Sequence, residues 1–140
     1  MILLDTNVIS ALMRPAVAAP VAAFMQAHRL DEMFTASLCE AEIRYGIARL
    51  PPGRRRDQLA TAFAAFLAEG FAERVLPFDR ACAAGYAAVR TAREAAGRPV
   101  TIPDALIAGT ALAHGAVVAT RNVGDFGGCG VAVVDPWAAA

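Results

Sequence analysis

Four acidic residues sit in local settings where a carboxylate could do chemistry. Asp5 ends the apolar run of MILLDTNVIS, Glu42 lies within TASLCEAEIRYGI, Asp104 opens VTIPDALIAGTAL, and Asp125 falls in VVATRNVGDFGG. Two carboxylates about 4 Å apart repel by roughly 4 kcal/mol at an effective dielectric near 20. A protein keeps such a cluster by protonating one member or by binding a cation. With no His or Cys set nearby, the donors would all be hard oxygens, which select Mg²⁺ or Mn²⁺ over zinc. An ion of that kind would hold a phosphate oxygen, activate water and stabilise a leaving oxygen, so phosphodiester hydrolysis is the natural reaction.

Each acid also has a plain structural reading. Asp5 could serve only as a turn residue whose carboxylate bonds nearby N–H groups. Glu42 borders the apolar stripe Cys39–Ile43–Ile47–Leu50 and could simply reach out to water, with Gly46 leaving open space one turn on. Glu40, two residues before it, points the other way and pairs four residues on with Arg44, as a solvated helix face does. Thr101 followed by Asp104 fits a capping box with Pro103 just inside the helix. Capping and ligation are compatible there, because a carboxylate has two oxygens. Asp125, among Asn122, Gly124, Gly127 and Gly128, could be a loop residue.

The elements that must position these acids alternate between strands and helices. Ile2–Leu4, a brief stretch from Met33 to Ser37, Arg74–Phe78, Ala116–Ala119 and Val131–Val134 read as strands. Helices are expected over Thr6–Met13, from Pro20 to about Arg29, and over Leu38–Leu50. Three more follow: Arg54–Glu69 closed by Gly70, Asp79 to about Ala96, and Pro103–His114 closed by Gly115. Residues 120–128 read as a loop. The alternation implies an α/β fold with a short, mostly parallel sheet between two helical layers. In such sheets sites form beyond the carboxyl ends of the strands. Asp5 leaves the first strand and Thr120-Arg121-Asn122 leaves the Ala116–Ala119 strand, so both would emerge at one edge.

Composition narrows the function classes. At 140 residues, one domain over 1–140 is expected, and 57% hydrophobic content excludes a disordered chain. Thirteen basic residues balance thirteen acidic ones, so no broad basic surface marks a binder of long nucleic acids, and any such role must come from a local site. Three scattered cysteines, Cys39, Cys82 and Cys129, show neither metal spacing nor a disulfide framework and suit the cytoplasm. No membrane span and no signal peptide are expected.

Taken in order, LLDTNVIS, AEIRYGI, LPFD, PDALIAGTAL and ATRNVGDF resemble the PIN-domain ribonucleases, especially VapC-type toxins of bacterial toxin–antitoxin pairs. The resemblance spans nearly the whole chain. It implies a PIN-like three-layer α/β sandwich and a toxic endoribonuclease dependent on Mg²⁺ or Mn²⁺. It also implies a homodimer, and a cognate antitoxin whose tail occupies the acidic groove, with higher hetero-oligomers and DNA contact only through the antitoxin. By the same resemblance Asp5 and Asp104 match the principal metal-binding acids and Glu42 the acid on the third helix. The fourth position falls at Asn122 or Asp125, with Asp125 the choice and Asn122 orienting water or phosphate. Thr6 and Thr120 flank the site, Thr120 near the water on the metal.

Two other classes remain open. The chain could be a binding module acting chiefly through an antitoxin complex and operon repression. A phosphatase with Asp5 as nucleophile is weaker, because Asn7 stands where a second aspartate is needed. The basic run Arg54-Arg55-Arg56 reads as a solvated helix start. His28 and His114 read as helix-end residues, Phe63, Phe66 and Phe71 as core, and Trp137 as packing for the C-terminal tail.

Overall fold

A computed structural model describes residues 1–138. Its five strands are β1 (Ile2–Leu4), β2 (Met33–Ala36), β3 (Val75–Leu76), β4 (Val117–Ala119) and β5 (Val133–Val134). They lie in the order β3-β2-β1-β4-β5, and every pairing is parallel. Parallel strands need crossovers, and helices supply them. These are α1 (Thr6–Leu12), α2 (Ala19–Ala27), α3 (Ser37–Ala48), α4 (Arg54–Ala68), α5 (Arg80–Ala95), α6 (Ile102–His114) and the four-residue α7 (Val123–Phe126). The α/β sandwich expected from the alternation is the fold observed.

β1 is the central strand, and its three residues are buried. That matches its unbroken Ile-Leu-Leu run, since a strand covered on both faces needs apolar residues throughout. Leu3, Leu4, Val8, Ile9, Val118 and Phe126 are fully enclosed and form one core with Ile43, Phe63, Phe66 and Phe71. Phe66 of α4 and Phe71, in the turn after Gly70, stack with centroids 4.3 Å apart.

Several boundaries differ from expectation for local reasons. β3 pairs only over Val75–Leu76, because Pro77 cannot donate to a ladder. The segment after Thr120 is not a plain loop: Val123–Phe126 closes one helical turn, with Phe126 buried beneath it. The Glu40–Arg44 pair forms as read, Arg44 Nε donating to Oε2 at 2.7 Å.

The helix that carries Asp104 is set by a contact between glycines. α5 and α6 make the most extensive helix–helix contact in the molecule. A Cβ on Gly85 would overlap the Gly109 carbonyl oxygen, and one on Gly109 would stand 2.5 Å from the Tyr86 nitrogen. Only hydrogen at both positions lets the backbones approach this closely.

Candidate active site

Asp5 is the fixed point. It is the N-cap of α1, its N–H donating to the Ala119 carbonyl at 3.0 Å and so continuing the β1–β4 pairing past the strand end. One carboxylate oxygen, Oδ1, accepts from the Thr6 N–H at 2.7 Å. The other, Oδ2, accepts from the Thr120 hydroxyl at 2.8 Å. Thr120 is wholly buried. Its oxygen also accepts from Asn7 Nδ2 at 3.1 Å and from the Asn122 N–H at 3.0 Å. A hydroxyl has one hydrogen and two acceptor positions, so Thr120 is saturated. It acts on the site by holding Asp5.

Asn7 closes this network. Besides bonding Thr120, it accepts from the Arg121 N–H through Oδ1 at 3.3 Å. Two turns, one after β1 and one after β4, are thereby tied together.

The acids gather round one cavity of about 750 Å³ at this edge of the sheet. Asp5, Thr6 and Asn7 form part of the lining, with Glu42 from α3 and Asp104 from the start of α6. Ser10, Arg14, Arg121, Asn122 and Trp137 complete its polar and aromatic wall. Asp125 is exposed on α7 and does not line the cavity, whereas Asn122 does. The Asp125 charge still reaches both Asp5 and Asp104.

Electrostatics agree with this placement. Burial pushes the Asp5 carboxyl above its ordinary value, the Asp104 and Asp125 charges add to the rise, and the Thr120 and Thr6 bonds oppose it. Asp104 is raised by burial and by Asp125, against the Thr101 hydroxyl and the Arg93 charge. Glu42, exposed at the lip, is also raised, first by burial of its inner side and then by Asp5 and Asp104, against the Thr6 hydroxyl. Three acids made harder to ionise, first by burial and then by neighbouring negative charge, would gain from a bound cation. The nearby Cys39 thiol is buried and pushed up to about 11, which removes it as a nucleophile.

The donors suit a hard, hydrated divalent ion. They are all oxygens, and the Thr6 hydroxyl is buried beside them, close enough to Glu42 to favour its ionised form although no hydrogen bond of ordinary geometry joins the two. Among the described residues no group of three or more acidic, His or Cys side chains is placed to hold a metal ion by itself.

Two contributors were not legible as site residues. Asn7 looks like an ordinary post-strand residue; only its distance of three residues from β1 hinted at the edge. Arg93 is 5% exposed on α5 and donates through Nη1 to the Gly124 carbonyl at 3.1 Å and the Gly127 carbonyl at 2.7 Å. It grips both ends of α7 from beneath. The start of α6 is capped as read in one direction, the Thr101 hydroxyl accepting from the Asp104 N–H at 3.4 Å.

With this geometry in view, the likenesses to known proteins become informative. Residues 2–126 match the PIN domain family. The chain is 39% identical to Toxin FitB of Neisseria gonorrhoeae, covering 98% of this chain and 99% of the relative. It is 35% identical to the VapC ribonuclease Y4jK of Sinorhizobium fredii, covering 98% of each. The solved structure of FitAB bound to an IR36 DNA fragment superposes with a TM-score of 0.91 at 38% identity, over 100% of this chain and 98% of that one. A match running from β1 through the acidic edge to α7, joined to full-length likeness among relatives, establishes that this chain belongs to the PIN-domain family.

Proposed function

We propose that the chain is the endoribonuclease toxin of a toxin–antitoxin pair, hydrolysing RNA phosphodiester bonds at the acidic cavity with Mg²⁺ or Mn²⁺. The observation that carries the reading is that Asp5, Glu42 and Asp104, from three separate elements, line one cavity. The relative named as a ribonuclease, aligned over nearly its whole length, supports the reaction.

Asp5 and Asp104 would hold the ion, with Glu42 and the Asp125 charge completing the negative field through water or a second ion. When bound, such an ion supplies Lewis acidity toward a phosphate oxygen and lowers the pKa of water. The chain's own contribution is orientation. Thr120 and the Thr6 N–H fix both oxygens of Asp5, and the first turn of α6 holds the Asp104 backbone. Asn122, on the cavity wall, can offer its amide to water or phosphate, and Thr6 lies on the same wall with its hydroxyl buried beside Glu42.

The expected partners are RNA, a cognate antitoxin, and a second copy of the chain. The superposing FitAB structure is a complex. β5 adds to the same sheet beyond the family match, which supports reading residues 1–140 as one domain. Three buried free cysteines favour a reducing cytoplasm, and among the described residues no helix is long and apolar enough to cross a membrane.

A second reading is favoured by one observation, the DNA fragment bound in that relative's complex. In it the chain serves chiefly to hold an antitoxin on operator DNA. Purified protein tested on single-stranded RNA with Mn²⁺ separates the two. The nuclease reading expects cleavage that a chelator and Asp5→Asn both abolish. Absence of cleavage by the unaltered protein, with antitoxin binding intact, would establish the second.

A further inference from the structure

An acidic cavity repels the polyanion it is meant to cut, so something on its wall must attract RNA. Of the residues lining it, only Arg14 and Arg121 carry positive charge. Arg121 is unusual in how it is held. Its guanidinium carbon stands 4.9 Å above the centre of the Trp137 ring, in a cation–π stack. Trp137 is half-buried and packs against the core, while the Arg121 side chain is exposed to the cavity.

The pair is built by the sheet. β4 and β5 pair through Ala119 and Val134, and the Thr120 N–H donates to the Val134 carbonyl at 2.9 Å, which brings the two following turns together. The Arg121 N–H is held by Asn7, and the Trp137 N–H by Asp135 Oδ1 at 2.8 Å. The backbone of Arg121 is therefore tied to the network that fixes Asp5. No carboxylate is paired with Arg121 among the described residues. A planar cation backed by an indole, open on the cavity side and free of an ion-pair partner, offers a flat face for stacking a nucleobase.

We propose that Arg121, seated over Trp137, is the platform for the unpaired nucleotide beside the scissile phosphate, and that Trp137 positions it. The inference rests on reading the cavity as an RNA-cleaving site, and adds that the substrate must present an unstacked base there. Arg121 would touch RNA; Trp137 would act through Arg121. Duplex RNA, with its bases stacked and paired, would not engage the platform.

Trp137 is the single tryptophan of the chain, so its emission reports on the platform alone. The test uses the full chain with a labelled, random-sequence, ten-nucleotide single-stranded RNA, with Ca²⁺ in place of Mg²⁺. Fluorescence anisotropy gives affinity and indole emission gives location. The expected result is a saturable change in Trp137 emission with the same midpoint as the anisotropy, and none with duplex RNA of equal length. Arg121→Gln and Arg121→Lys should both weaken binding about tenfold, because lysine keeps the charge but not the plane. Trp137→Phe should stay within about threefold, since it keeps a ring.

Arg121 is exposed, so its variants should fold, and circular dichroism checks that. Binding by Arg121→Lys equal to wild type would overturn the platform, leaving simple charge attraction. RNA binding without a change in indole emission would overturn it as well. In both cases cleavage by wild type in Mg²⁺ would leave the ribonuclease reading standing. Wild-type protein that neither binds nor cuts RNA would remove both.

Discussion

The Thr120 hydroxyl donates to Asp5 Oδ2 at 2.8 Å, joining residues 115 apart in sequence inside a fully buried contact. That bond orients the acid at the centre of the cavity. Thr120→Val should leave one Asp5 oxygen without a donor and two N–H groups without an acceptor. Stability should fall by about 1–3 kcal/mol, measured by urea denaturation. Cleavage should fall more than tenfold, and the Mn²⁺ concentration needed for half-maximal rate should rise. Thr120→Ser should restore most of both. Equal Mn²⁺ dependence in Thr120→Val and wild type would break the link.

The raised acids predict how stability depends on pH. Asp5, Glu42 and Asp104 each bind a proton more tightly folded than unfolded. The folded state is favoured by that difference below about pH 4, near the ordinary carboxylate values, and loses it as pH rises through the raised values. In chelator, Asp5→Asn should therefore gain stability relative to wild type between about pH 4 and pH 8. Melting temperatures of the two proteins across that range check it. Saturating Mn²⁺ should flatten the wild-type curve, because the ion favours the ionised acids.

The four acids should not be equal. Asp5→Asn and Asp104→Asn remove donors that face the cavity, and each should lower kcat by a factor of about 1000 or more, some 4 kcal/mol in barrier. Asp125 is exposed and outside the lining, so Asp125→Asn should cost about tenfold. Single-turnover cleavage in Mn²⁺ measures both. A larger loss from Asp125 than from Asp104 would mean that α7 moves inward when substrate binds.

Arg93 should matter to α7 more than to the acids directly. Arg93→Met would leave the Gly127 carbonyl without its donor and the Gly124 carbonyl with only Arg98 Nη2, at 3.3 Å. Amide exchange over residues 122–128 should speed up at least tenfold while the strands stay protected. The global cost should be about 2 kcal/mol.

The glycine crossing gives a purely structural prediction. Gly109→Ala forces a methyl group against the α5 backbone, which cannot yield as a side chain would. Destabilisation of about 3 kcal/mol or more is expected from chemical denaturation, at or above the upper range for overpacked cores. Gly46→Ala, with open space around its Cβ, should be neutral or mildly stabilising and serves as the control.

Much of the frame could be read locally. The Ile-Leu-Leu run reads as a covered strand and the Gly70 and Gly115 stops mark helix ends, whereas Asp5, Glu42 and Asp104 each allow a plain structural reading and are singled out as site residues by the family resemblance. What escaped depends on partners far along the chain. Asn7 acquires its function from Thr120 and Arg121, Arg93 from the carbonyls of α7, and Gly109 from Gly85. Neither spacing nor propensity encodes such a meeting. The choice between Asn122 and Asp125 belongs to this class too: both looked like loop residues, and a single helical turn sends one to the wall and the other outward.

The placement of β1 at the middle of the sheet also governs when the acidic site can be assembled. The ribosome makes Asp5, Thr6 and Asn7 first, but their seat is completed only by β4 and the turn after it. Until those late residues are made, nothing in the chain can hold Asp5 as the folded protein does. A product lacking roughly the last two dozen residues has neither β4 nor Thr120, and so cannot form the bonds that orient Asp5.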